Sequence, residues 1–154
     1  MTLADFTGPS LIVPRLRGKD APSVIQELSQ TLHRDGWLPD WLSFYHSAIN
    51  REYFVSSEME GGLAFPHAQV PGLQRLVFAL GRSLEPLPWK TKAGNGVYLV
   101  FLVAVPTTDA TRYLALISSL ALLQQQSPLL QQLLTASDVP KILELLHEIK
   151  LRNG

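Results

Sequence analysis

The chain has 154 residues, 46% hydrophobic and 17% charged, enough to close one sizeable core and too few for two ordinary domains. Thirteen basic and thirteen acidic residues cancel, so there is no global positive field to draw nucleic acid or anionic lipid. The absence of cysteine excludes a disulfide framework, a thiolate nucleophile and a Cys-based zinc site.

Met1 to Ser10 lacks a basic stretch followed by an apolar core, so no secretory leader is expected there. Leu11-Ile12-Val13 is a short β-branched run. Asp20 before Ala21 and Pro22 is an acidic N-cap with proline in the first turn, and Val24, Ile25, Leu28 and Leu32 follow at helical spacing up to Gly36. Asp40 predicts a second cap, with Trp41, Leu42, Tyr45, Ala48 and Ile49 as the apolar stripe of a helix running towards Arg51 and Glu52. Ser56 to Gly62 has loop composition and leads into Leu63-Ala64-Phe65, which places His67 at a strand end.

Leu73 to Leu84 reads as a strand buried on both faces, Leu76, Phe78 and Leu80 on one side, Val77 and Ala79 on the other. Glu85 to Gly96 is a Pro/Gly/Lys loop, and the apolar run Val97 to Val105 stops at Pro106. At nine residues that run is about half the length of a membrane helix, so no membrane insertion is expected. Thr107 to Asp109 caps a helix reaching Gln126, with Leu114, Ile117, Leu120 and Ala121 inward; Pro128 and Asp138 start two more. Residues 1–154 are thus expected to form a single α/β domain, a mixed sheet of about four to five strands covered by helices. The cysteine-free chain fits a reducing cytoplasm.

Of the four histidines, His33 and His147 fall near helix C-termini, where imidazolium complements the dipole, and His46 lies inside a helix. No HxxxH or HExxH spacing supports a metal site, and no cofactor is implied. His67 differs: it follows a proline that fixes the backbone, and Gly61-Gly62 stands shortly before it.

Arg51-Glu52 followed by Gly61-Gly62-Leu63-Ala64-Phe65-Pro66-His67-Ala68 resembles the signature of the mannitol/fructose-type enzyme IIA domains of the bacterial phosphotransferase system, which include a nitrogen-regulatory branch. The order of the remaining elements resembles the family across nearly the whole chain. The resemblance implies that His67 takes a phosphoryl group from HPr, or a paralogue of it, and passes it to an enzyme IIB domain or uses it as a signal to a regulatory target. It implies that Arg51 stabilises the phosphoryl oxygens, which suit its planar fork. Ser56 or Ser57 offers a hydroxyl donor from the same loop. Leu63, Phe65 and Tyr113 are the expected apolar rim around His67.

One position departs from the family. Tyr113 stands where members commonly carry a second histidine. A phenol donates one hydrogen bond, but it brings no positive charge and relays no proton near neutral pH. The alternative reading is therefore a degenerate module that keeps the fold and a recognition surface, a protein-binding regulator without phosphotransfer.

Overall fold

Four aspartates set where the chain turns helical. Asp20, Asp40, Asp109 and Asp138 each accept a hydrogen bond from the backbone N–H three residues on, at 3.0–3.3 Å, and each such cap stabilises its helix by about 1 kcal/mol. They open α1 (Ala21–Arg34), α2 (Trp41–Phe54), α3 (Ala110–Leu123) and α5 (Val139–Leu146); α4 (Ser127–Thr135) begins with proline in its first turn. The computed structural model describes residues 1–89 and 96–152.

The strands are β1 (Ile12–Val13), β2 (Glu58–Met59), β3 (Leu63–Ala64), β4 (His67–Val70), β5 (Val77–Leu87) and β6 (Val97–Pro106). They form one mixed sheet in the order β1-β5-β6-β3-β2, in which β5 and β6 are antiparallel and β1 runs parallel to β5. Both β3 and β4 run parallel to β6, Leu63 beside Leu99 and His67 beside Val103. They form one line alongside β6, interrupted at Phe65-Pro66. Proline has no N–H to give a ladder, but its carbonyl accepts from Val103 N–H at 2.9 Å, which keeps the two pieces in line.

Alternation along β5 and β6 sends side chains to two cores. Leu76, Phe78, Leu80, Leu99, Phe101 and Val103 pack under α3, α4 and α5, while Val77, Ala79, Val100, Leu102 and Ala104 pack under α1 and α2. Helices thus cover both faces, which is why β6 reads as an unbroken apolar run.

Several expectations are corrected. The sheet has six strands among the described residues. The loop expected over Ser56 to Gly62 contains β2, which pairs with β3 as a short hairpin. Glu85 to Leu87 extend β5, and positions 90–95 of the expected loop lie outside the described residues. His67 opens a strand rather than closing one. On α2 the buried residues are Phe44, Ala48 and Glu52, and Leu42 is exposed; on α3 Ala115, Leu116, Ser119, Leu120 and Leu123 face inward, and Leu114 is exposed. Trp41, Tyr45 and Ile49 on α2 and Ile117 on α3 pack at the margins of these stripes, partly buried against the two cores.

Candidate functional site

The first residue of β4 lies where the end of α2 and the start of α3 converge on the sheet edge, and that residue is His67. Its register beside Val103 puts the ring towards α3, where Tyr113 lies with ring centroids 5.1 Å apart and planes at 46°. From the other side Arg51, in the last turn of α2, donates its Nε–H to His67 Nε2 at 2.8 Å. The second ring nitrogen, Nδ1, lies 3.1 Å from the carbonyl oxygen of Phe65. An arginine N–H can only donate and a carbonyl can only accept. Nε2 therefore carries the lone pair and Nδ1 the proton, the neutral Nδ1–H tautomer.

The electrostatics favour the same state. Burial of the half-buried ring pushes the His67 pKa below the ordinary histidine value; the Phe65 hydrogen bond opposes this, the Arg51 charge adds to it, and the Glu52 charge counters. Burial raises the Tyr113 pKa, against a smaller lowering by Arg51, so Tyr113 is a neutral phenol near pH 7. His67 opens on a cleft of about 730 Å³ shared with Asn50, Arg51, Phe54, Val55 and Tyr113. On its other flank a smaller cleft of about 90 Å³ runs to Gln69, Val105 and Thr107. A neutral imidazole with one bare nitrogen, an arginine fork beside it and open space in front can accept an electrophilic group on Nε2 and stabilise anionic oxygens around it.

The sequence profile described as "Phosphoenolpyruvate-dependent sugar phosphotransferase system, EIIA 2" matches residues 5–149. The chain belongs to this family. As a type 2 enzyme IIA it is 25% identical over 148 residues to the PTS system fructose-specific EIIABC component of Bacillus subtilis, covering 96% of this chain but 23% of that protein. The enzyme IIA chain thus spans about a quarter of the length of that relative. Among solved structures, the nitrogen regulatory protein IIA-Ntr of Neisseria meningitidis shares the fold at TM-score 0.84 and 24% identity, covering 93% of this chain and 97% of that one. Enzyme IIAMTL of Escherichia coli, in complex with phosphorylated enzyme IIBMTL, matches at TM-score 0.70 and 16% identity over 90% of this chain and 95% of that one.

Of the residues expected at the site, the enzyme IIA structure brings Arg51, His67 and Tyr113 together. Ser56 and Ser57 line the same cleft, but both hydroxyls donate to Glu52, at 3.2 and 2.8 Å. Leu63 and Phe65 are corrected: at 0% and 4% exposure their side chains belong to the core, and Phe65 meets Phe101 with ring centroids 6.0 Å apart. Their strand alternation points them at the sheet's own layers, so Phe65 serves the site through its carbonyl oxygen. The exposed apolar side chains at the cleft are instead Phe54, at 86%, and Val55, at 75%. Arg112, one position from Tyr113, points away and lies 3.9 Å from Asp109.

Two further residues hold the site together, Glu52 of the motif and Trp89 outside it. Glu52 is buried and accepts hydrogen bonds from the site loop and from Trp89. Phe44, Ala48 and Glu52 recur every four residues, a spacing that places Glu52 on the inward stripe of α2. Nothing near Trp89 in sequence signals its contact. Among the described residues no cluster of three or more metal-ligating side chains occurs, and no helix is long and apolar enough to cross a membrane.

Proposed function

We propose that this chain is a phosphohistidine carrier: His67 Nε2 takes a phosphoryl group from an HPr-type donor and passes it to an enzyme IIB partner or uses it to signal to a regulatory target. The observation that carries this reading is the pair of hydrogen bonds that leaves Nε2 as the unprotonated nitrogen, Phe65 carbonyl on one side of the ring and Arg51 on the other.

In acceptance, Arg51 Nε moves off Nε2 and its fork turns to the incoming phosphoryl oxygens. The Nε2 lone pair forms the new N–P bond as the donor's bond to phosphorus breaks, and the donor keeps that electron pair. The Nδ1 proton stays against the Phe65 carbonyl, which offsets the positive charge the ring gains. Because phosphoryl transfer has a loose transition state with charge on the equatorial oxygens, positioning and anion stabilisation are the protein's main task. Tyr113 adds one neutral donor where a histidine would add a charge. Phe54 and Val55 form the apolar lip that a partner covers to exclude water from the reacting centre. Serving a donor and an acceptor in turn at one cleft calls for modest, transient interfaces.

Tyr113 favours a second reading, a recognition module that binds partner proteins without turnover. Intact mass separates the two. The protein is incubated with phosphoenolpyruvate, enzyme I and either a sugar-type or a nitrogen-type HPr, with His67→Ala in parallel. One acid-labile phosphoryl group on the wild type, lost in the variant, is the expected result. A folded wild-type sample left unmodified by both donors would overturn the carrier reading in favour of the binding module.

A further inference from the structure

Arg51 and Glu52 are consecutive on a helix, so their side chains diverge by about 100°. Arg51 reaches the cleft and Glu52 turns inward, where it is 6% exposed. A carboxylate taken out of water needs donors in place of solvent. Four converge here: Oε2 accepts from Ser57 N–H at 2.7 Å, Trp89 Nε1–H at 3.0 Å and the Ser56 hydroxyl at 3.2 Å, and Oε1 accepts from the Ser57 hydroxyl at 2.8 Å.

The Ser57 hydroxyl gives its only proton to Glu52 and so turns a lone pair to the other side. That lone pair receives Phe65 N–H at 2.9 Å. The next peptide is fixed from its far end, since the Pro66 carbonyl is held by Val103 N–H. Phe65 is thereby pinned on both flanks, and its carbonyl is aimed at His67 Nδ1. Arg51 also favours the bare Nε2, but only until phosphorus approaches, because it occupies the position the phosphoryl group must take. The Phe65 carbonyl is the partner that persists through the reaction.

We propose that Glu52, acting through Ser57 and the Phe65 backbone, is a positioning residue that holds His67 in its Nδ1–H tautomer, with Trp89 donating to Oε2 while Oε1 takes the Ser57 hydroxyl. The inference rests on the carrier reading only for what the bare nitrogen is used for; the tautomer is measurable with no phosphoryl donor present.

The experiment is two-bond 1H–15N correlation NMR of the full chain labelled at histidine, recorded at pH 8 where the ring is neutral. An Arg51→Ala background leaves the Phe65 carbonyl as the sole selector. There His67 is expected to show a protonated Nδ1 and a bare Nε2. Adding either Ser57→Ala or Glu52→Ala is expected to draw the two nitrogen shifts together into a tautomer mixture. Adding Glu52→Gln instead is expected to keep the Nδ1–H pattern, because the amide oxygen still accepts from Ser57 N–H and Trp89 while its NH₂ donates to the Ser57 hydroxyl. Backbone spectra establish that each variant is folded. The proposal is overturned by a folded Arg51→Ala/Ser57→Ala or Arg51→Ala/Glu52→Ala protein with unchanged His67 shifts, by an Nε2–H tautomer in the background protein, or by Glu52→Gln mixing the tautomers as the two alanine variants do. A protein with the expected tautomer that accepts no phosphoryl group overturns the carrier reading alone.

Discussion

Replacing Arg51 with alanine separates two things its guanidinium does at His67. In the resting state its charge adds to the larger effect of burial in lowering the His67 pKa, and under the proposed carrier reading its N–H groups, of which Nε–H now meets Nε2, turn to the phosphoryl oxygens in the transition state. The first effect is small. If the variant let His67 return to the ordinary value of about 6.5, roughly 97% of the rings would still be neutral at pH 8. The second is the size of a lost anion-hole donor, about 10²–10³ in rate. Arg51 is exposed in the resting cleft, which argues for the lower end, about 10²-fold or roughly 2.7 kcal/mol of barrier. Rapid-quench measurement of phosphoryl acceptance from phosphorylated HPr at pH 8 reads this directly. Arg51→Lys, which keeps the charge but not the fork, is expected to recover about tenfold of the loss. An Arg51→Ala rate within threefold of wild type at pH 8 would refute the assignment of Arg51 to the transition state.

Acceptance needs the neutral ring, so its rate is expected to fall with acid only below pH 6.5, through the burial-lowered pKa of His67; an acid limb centred above 6.5 would contradict the site's electrostatics. By linkage, the unfolded chain takes up this proton at higher pH than the folded one. The His67 contribution to stability is therefore lost as pH falls from about 6.5 through the lowered value, and urea titrations of His67→Gln should lack that part of the slope. Away from the site, a methyl group on Gly81 would lie 2.6 Å from Leu16 Cδ2 and 2.9 Å from its Cδ1 and Cγ. Leu16 is tied to β5 by its N–H to the Arg82 carbonyl at 2.9 Å and has little room to yield. Gly81→Ala is expected to cost about 1–3 kcal/mol in chemical denaturation, and the Gly81→Ala/Leu16→Ala double variant less than the sum of the two singles; strict additivity would rule out the contact.

The sequence by itself determined the helix starts, since an aspartate three residues before a free N–H is a local interaction that needs no tertiary partner. It also determined the two-faced burial of β5 and β6, because alternation assigns every side chain to a layer once the strand exists. His67 and Arg51 were legible through the motif, and so was the departure at Tyr113. The rest of the apolar rim, beyond Tyr113, was not. Leu63 and Phe65 read as apolar neighbours close in sequence, but the parallel pairing of β3 with β6 turns them into the sheet's core and leaves the cleft to Phe54 and Val55. Only the tertiary structure decided the tautomer of His67 and which donors receive the Glu52 carboxylate. Both depend on hydrogen bonds between α2, the loop before β2, the segment just after β5 and the break at Pro66, segments that have no local reason to meet until the sheet brings them together.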